Sequence, residues 1–134
     1  MTTDYLQHYY KDDQKELNNR KEISFRFLSI DYTFITADNV FSKDRVDFGT
    51  TFLIETAINS GISGRILDYG CGYGVVGIIL SKMGYDTFGL DVTDRALNLS
   101  MMNNDLNKTK FKVAKVTDDL SIYNFIKEAV LKDY

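Results

Sequence analysis

The chain has 134 residues, 44% of them hydrophobic and 26% charged, with a formal net charge of -3. That length suits one domain with a real core, and the balance of apolar and charged residues excludes a disordered chain. The acidic balance offers no evident basic face for nucleic-acid phosphates, the single cysteine, Cys71, excludes an internal disulfide, and no apolar run approaches the ~20 residues that span a bilayer.

Residues 1–20 read as a loosely ordered polar arm, with stacking of Tyr5, Tyr9 and Tyr10 on a base or on the domain's own surface as the alternative. They carry no apolar signal-peptide core, so the expected compartment is the cytoplasm, with no membrane association. His8 is the sole histidine, has no carboxylate at a diagnostic spacing, and reads as a surface residue.

From Lys21 the pattern alternates, Ile23, Phe25 and Phe27 against Glu22, Ser24 and Arg26. After the polar break Ser29-Ile30-Asp31 comes a β-branched and aromatic run, Tyr32 to Thr36, so residues 21–36 predict a β-hairpin. A helix follows from about Thr50 to Asn59, with Phe52, Leu53, Ala57 and Ile58 as its apolar stripe and Asn59-Ser60-Gly61 as its stop. Asp47 and Thr50 stand at its start, where they either reach a ligand or cap the helix.

The centre of the chain is Arg65-Ile66-Leu67-Asp68-Tyr69-Gly70-Cys71-Gly72-Tyr73-Gly74-Val75-Val76-Gly77. It reads as a short buried strand, an acidic residue at its carboxyl end, a glycine turn and an apolar helix from Val75 to Met83. Gly70 and Gly72 admit positive φ and a ligand close to the backbone, and Gly77 lets helix and strand approach. Gly84 is the expected helix stop. Tyr85 to Leu90 is the next strand. Thr93-Asp94 caps a helix from Arg95 to about Asn104, buried through Ala96, Leu97, Leu99 and Met101 or Met102. Phe111 to Val116 is a further strand, and Ser121 to Tyr134 a last helix with Ile122, Phe125, Ile126, Ala129 and Val130 on one side. Strands alternating with helices predict a doubly wound parallel sheet of Rossmann-like type, preceded by the hairpin.

Three glycines in a turn are weak on their own, and two carboxylates sharpen the signal. Asp68 precedes the glycines, where it would repel a dinucleotide's pyrophosphate and suit the ammonium of an amino-acid moiety. Asp91 ends the following strand, where a carboxylate accepts both hydroxyls of a ribose. A ligand with a ribose, a cationic amino-acid part and no phosphate is S-adenosylmethionine. The cofactor set is therefore Asp68, Gly70, Cys71, Gly72, Gly74, Asp91 and Val92, with Asp47 and Thr50 closing the site. Asp118, after the third strand of the parallel sheet, is placed to meet the adenine amine or simply to turn the chain. Cys71 sits inside the turn with no base nearby, which makes it a packing residue rather than a nucleophile. A nicotinamide-dependent oxidoreductase is the alternative enzyme, and Asp68 argues against it.

The Asp-x-Gly-x-Gly-x-Gly form with its strand-end Asp91 resembles the cofactor motifs of class I methyltransferases. Further segments narrow the resemblance: His8-Tyr9-Tyr10, Asn39-Val40-Phe41-Ser42-Lys43, Val46-Asp47-Phe48-Gly49-Thr50 and Asp91-Val92-Thr93-Asp94-Arg95-Ala96-Leu97. Over roughly residues 8–118 the chain resembles the small-domain methyltransferases typified by the bacterial 16S ribosomal RNA guanine-N2 enzymes. Val75 departs from close relatives, which often have proline there. The resemblance implies methyl transfer to guanine N2, with ribosomal RNA or the small ribosomal subunit as partner. It also implies a fourth strand ending in Asn-Pro-Pro-aromatic, whose amide and carbonyl accept the hydrogens of the base amine while the aromatic stacks on it. The sequence contains no proline. The expectation is therefore a polar arm (1–20) and a methyltransferase small domain (21–134, with its cofactor-binding βα units in 48–120) incomplete at the C-terminus, truncated after about three parallel strands. Such a chain lacks the catalytic motif, or is a cofactor-binding remnant or regulatory module, and its unpaired sheet edge invites self-association.

Overall fold

The structure, a computed structural model, describes residues 19–38, 40 and 42–131. The polar arm and its tyrosines, His8, Asn39, Phe41 and the last three residues lie outside the described residues.

Strands β1 (Lys21–Phe27) and β2 (Ile30–Thr36) form the expected antiparallel hairpin, in register from Lys21 with Thr36 to Phe27 with Ile30. The turn is tighter than the polar break suggested. Leu28 and Ser29 alone make it, both at positive φ (48° and 67°), and Ile30 and Asp31 already belong to the strand. Two central residues at positive φ match the twist of the flanking strands.

A parallel sheet follows in the order β3 (Arg65–Tyr69), β4 (Asp86–Asp91), β5 (Lys112–Lys115). Helix α1 (Phe48–Asn59) precedes it, α2 (Val75–Lys82) joins β3 to β4, and α3 (Asp94–Leu106) joins β4 to β5. Helix α4 (Asp119–Phe125) runs on into a π-helical turn, Ile126–Val130. Among the described residues β3 pairs only with β4, so Ile66 and Leu67, expected to be buried, are half-buried.

The core lies between the α2–α3 face of the sheet and the hairpin. Phe34, Ile54, Ile78, Ile79, Leu90 and Leu99 are fully buried, and each such side chain is worth ~1.5–3 kcal/mol when removed from water. Gly77 sits where small size was expected. A Cβ there would fall 2.1 Å from the Phe111 ring, and one at Gly89 2.3 Å from the same ring. Two glycines on facing elements therefore make the slot for one aromatic. On the opposite sheet face Phe88 meets Phe125 of α4 edge to face, with centroids 6.1 Å apart.

Helix α1 corrects the sequence reading. Its buried residue is Ile54, with Ala57 and Ile58 half-buried, whereas Phe52 and Leu53 face outward beside an exposed Phe48. Helical spacing allowed either stripe, and packing against α2 selects the one holding Ile54. On α3 the expected Ala96, Leu97 and Leu99 are buried, joined by three polar residues that apolar periodicity missed, Asn98, Ser100 and Asn103. Asn103 and Asn107 cover the free edge of β2. Asn103 Oδ1 accepts the Ile35 N–H (2.7 Å) and its Nδ2 donates to the Ile35 carbonyl (3.0 Å), while Asn107 does the same with Thr33 (3.1 and 2.8 Å). Four residues of helix rise about 6 Å and two of strand nearly as much, so the amides meet successive outward-facing units of β2 as another strand would. Gly84 (φ 100°) ends α2 as predicted.

Candidate functional site

The carboxyl ends of β3 and β4 bring the principal sequence-predicted residues together. At the end of β3 the chain turns through Gly70 (φ 74°), Gly72 (φ 57°) and Gly74 (φ 99°), all in the left-handed region. The turn is pinned to the next strand: the Gly70 and Cys71 N–H groups both donate to the Leu90 carbonyl (2.8 and 2.9 Å). A Cβ at Gly70 or Gly72 would meet no protein atom within 4 Å, whereas one at Gly74 would strike Ile78 at 2.9 Å. The first two glycines thus border open space, and the third is a packing requirement.

Asp68 is half-buried as a residue, but its Oδ2 is shielded from solvent and has no hydrogen-bond partner. Burial pushes its carboxyl up to about 6, opposed by the Gly77 N–H that donates to it and reinforced by the charge of Asp91. A buried oxygen without a donor is costly in the chain alone and suited to a cationic ligand.

Asp91 is held from two directions. Its Oδ2 accepts the Gly72 N–H at 3.0 Å, and its Oδ1 accepts those of Val92 (2.8 Å) and Thr93 (3.2 Å). The carboxylate stands fixed beside the turn, with the Val92 side chain exposed next to it. The Val116 N–H donates to the Asp91 carbonyl (3.0 Å), which brings the segment leading to Asp118 alongside.

The remaining residues have local work in the structure. Asp118 caps α4, its Oδ1 accepting the Ser121 N–H at 2.8 Å. Asp47 caps α1, accepting from the Gly49 and Thr50 N–H groups (3.0 and 3.2 Å) and from the Thr50 hydroxyl (2.7 Å), which holds its carboxyl below the usual range. Thr50 thereby serves Asp47. The Asp47 charge also contributes to raising Tyr73, a phenol that burial pushes up to about 12 and that donates to the Ser42 carbonyl at 3.1 Å. Cys71 is buried, its Sγ 3.7 Å from Ser100 Oγ, and burial pushes its thiol up to about 12. Its burial against Ser100 suits a packing residue.

Sequence reasoning missed Ser100 and Asn103, whose side chains touch the back of the turn. Their signal was present as polar residues on the otherwise apolar face of α3. Among the described residues no group of histidine, cysteine, aspartate or glutamate is arranged to hold a metal ion. Nor is any helix among them long and apolar enough to cross a membrane.

Against known proteins, the family model described as "Methyltransferase small domain" matches residues 31–127. The uncharacterized protein YbxB of Bacillus subtilis is 39% identical over 103 residues, 75% of this chain and 51% of that protein. The ribosomal RNA small subunit methyltransferase C of Idiomarina loihiensis is 27% identical over 124 residues, 90% of this chain and 34% of that protein. Among solved structures, the T. thermophilus 16S rRNA N2 methyltransferase RsmC, in complex with AdoMet and guanosine, superposes with a TM-score of 0.64 at 27% identity. That match covers 71% of this chain and 27% of that one. The chain thus spans about half the length of the Bacillus relative and a smaller share of the other two.

Proposed function

The chain belongs to the methyltransferase small domain family, and from that premise we propose that it binds S-adenosylmethionine in the glycine turn between β3 and β4. The observation that carries this is the buried, donorless Oδ2 of Asp68, in the strand that leads into two glycines at which a Cβ would meet nothing within 4 Å. In this reading Asp68 receives the ammonium of the amino-acid part, Gly70, Cys71, Gly72 and Gly74 pass its chain along their backbone, and Asp91 accepts the ribose hydroxyls. Val92 flanks the adenine, and Asp118 offers its amine the carboxylate oxygen that does not cap α4. Asp47 and Thr50 close the site by holding the start of α1. When bound, the cofactor supplies an electrophilic methyl group.

The proposed acceptor is ribosomal RNA, at guanine N2, as the name of the T. thermophilus neighbour suggests by similarity, and the proposed compartment is the cytoplasm. Transfer to a base amine needs acceptors that orient the nitrogen lone pair. The Asn-Pro-Pro-aromatic form of that device is absent from a sequence without proline, so we assign this chain the cofactor half of the reaction. The absent motif also favours a second reading, a cofactor-binding module without activity of its own. The free edge of β3 is the place we propose for self-association, with a second copy as occupant and sedimentation at two concentrations as its test.

Thermal melts with S-adenosylmethionine, S-adenosylhomocysteine and NAD in parallel test the cofactor. Ligand at about 100-fold over Kd stabilises a competent fold by roughly 2.7 kcal/mol. A shift with both adenosyl compounds and none with NAD is expected. A shift with NAD alone would overturn the reading, and methyl transfer to ribosomal RNA by the chain alone would defeat the half-reaction assignment.

A further inference from the structure

Behind the glycine turn stands a second row of residues with no part in the ligand contacts above. Ser100 and Asn103 lie on α3 three residues apart, hence on one face, and both are fully buried. The Ser100 hydroxyl donates to the Gly72 carbonyl at 2.7 Å, and Asn103 Nδ2 donates to the Tyr73 carbonyl at 2.8 Å. Two successive carbonyls of the turn are thereby drawn toward α3. In a planar trans peptide the N–H points opposite to the C=O, so holding the Gly72 carbonyl inward directs the Tyr73 N–H away from α3. A Cβ at Gly72 would itself meet nothing within 4 Å.

We propose that Ser100 and Asn103 are positioning residues for the cofactor: from α3 they hold the peptide units of the glycine turn with their carbonyls inward and so set how tightly the cofactor is bound. The inference rests on the cofactor reading above. Its physical basis is preorganisation. Gly72 and Gly74 have a wide choice of conformations, and a turn left to choose among them must be reordered at each binding event, at the expense of affinity. Asn103 does more than Ser100, because its remaining hydrogen-bonding groups hold Ile35 of β2. The Tyr73 hydroxyl, at the other end of the residue it holds, reaches the Ser42 carbonyl in the segment after β2. One amide thus ties the turn to the hairpin.

Asn107 provides the control. It grips Thr33 of the same strand with the same pair of hydrogen bonds, and its side chain bonds Thr33 and the Asn103 carbonyl rather than the turn. The experiment compares Asn103→Ala, Ser100→Ala and Asn107→Ala by melting temperature, by S-adenosylhomocysteine affinity well below each transition, and by amide exchange of residues 70–78. Asn103→Ala and Asn107→Ala should both lower the melting temperature. Asn103→Ala should weaken binding about tenfold, the equivalent of one lost hydrogen bond at the upper end of the usual range, and speed exchange in the turn. Asn107→Ala should do neither. Binding by Asn103→Ala as tight as wild type, or equal weakening by Asn107→Ala, would overturn the proposal. Should Asn103→Ala fail to fold, Ser100→Ala, a smaller lesion on the same turn, decides by the same comparison. A wild-type chain that binds neither adenosyl compound refutes the cofactor reading alone, and exchange of the turn amides then decides whether Ser100 and Asn103 hold the turn.

Discussion

Replacing Asp68 by asparagine should stabilise the ligand-free chain and abolish its cofactor binding. Asp68 carries a carboxyl pushed up to about 6 by burial, with Oδ2 lacking any donor. An ordinary aspartate titrates near ~3.9, and each unit of difference is worth ~1.36 kcal/mol, so two units set a ceiling of ~3 kcal/mol. The residue is half-buried, and solvent screening brings the expected gain to about 1–2 kcal/mol. The sign follows from proton linkage. Between about pH 4 and 6 the folded chain keeps a proton that the unfolded chain has released, so this group's contribution falls as pH rises and is at its least favourable above about 6. Asparagine keeps an acceptor for the Gly77 N–H and carries no charge at any pH. Melting both proteins from about pH 4 to 8 should therefore show a small difference at the acid end. It should grow to about 4–8 °C in favour of Asp68→Asn at about pH 7.5, with other titrating groups cancelling between the two proteins. S-adenosylhomocysteine should raise the wild-type melting temperature and leave that of Asp68→Asn unchanged. A variant less stable than wild type at neutral pH, or a gap that ignores pH, would refute the argument that this carboxylate is held at a cost for a ligand.

The same carboxyl should make cofactor binding pH-dependent. Affinity for S-adenosylhomocysteine, measured by calorimetry, should rise from about pH 5 to 7 as Asp68 ionises and then level off, whereas a flat profile would remove Asp68 from the ammonium site. Gly77→Ala should destabilise by about 3 kcal/mol, because its Cβ would lie 2.1 Å from the Phe111 ring. Chemical denaturation of Gly77→Ala with and without Phe111→Leu should show partial rescue by the second change, which opens the slot. Cys71 should stay unlabelled by a thiol reagent at about pH 8 in the folded chain and react at once in denaturant, since it is both buried and held as a thiol. Rapid labelling of the native protein would contradict the packing described around it.

Much of this molecule was legible before folding, and the legible parts share a cause. Thr93 and Gly84 act on groups within a few residues of themselves, so their cap roles follow from short-range stereochemistry, and Asp47, which the sequence left open between ligand contact and cap, caps α1 in the structure. Gly70 and Gly72 declare their positive φ by lacking a side chain, and Asp68 and Asp91 declare strand ends by standing where apolar runs stop. Asp118 shows the limit of such reading: ligand contact and a simple chain turn both fitted its place in sequence, and in the structure it caps α4.

What the chain alone left open depended on partners far away in sequence. Helical periodicity pointed to a stripe through Phe52 and Leu53, whereas packing against α2 buries Ile54 instead. Ser100 and Asn103 drew no reading from the sequence, because only tertiary packing sets their hydroxyl and amide against the Gly72 and Tyr73 carbonyls, 28 and 30 residues away. Asp68 was named from its place in the motif, but its meaning is tertiary: only burial denies Oδ2 a donor and lifts its carboxyl to about 6. Local sequence determined where the backbone turns and which groups it can offer. Tertiary structure decided which of those groups water no longer satisfies, as burial does for Asp68 Oδ2.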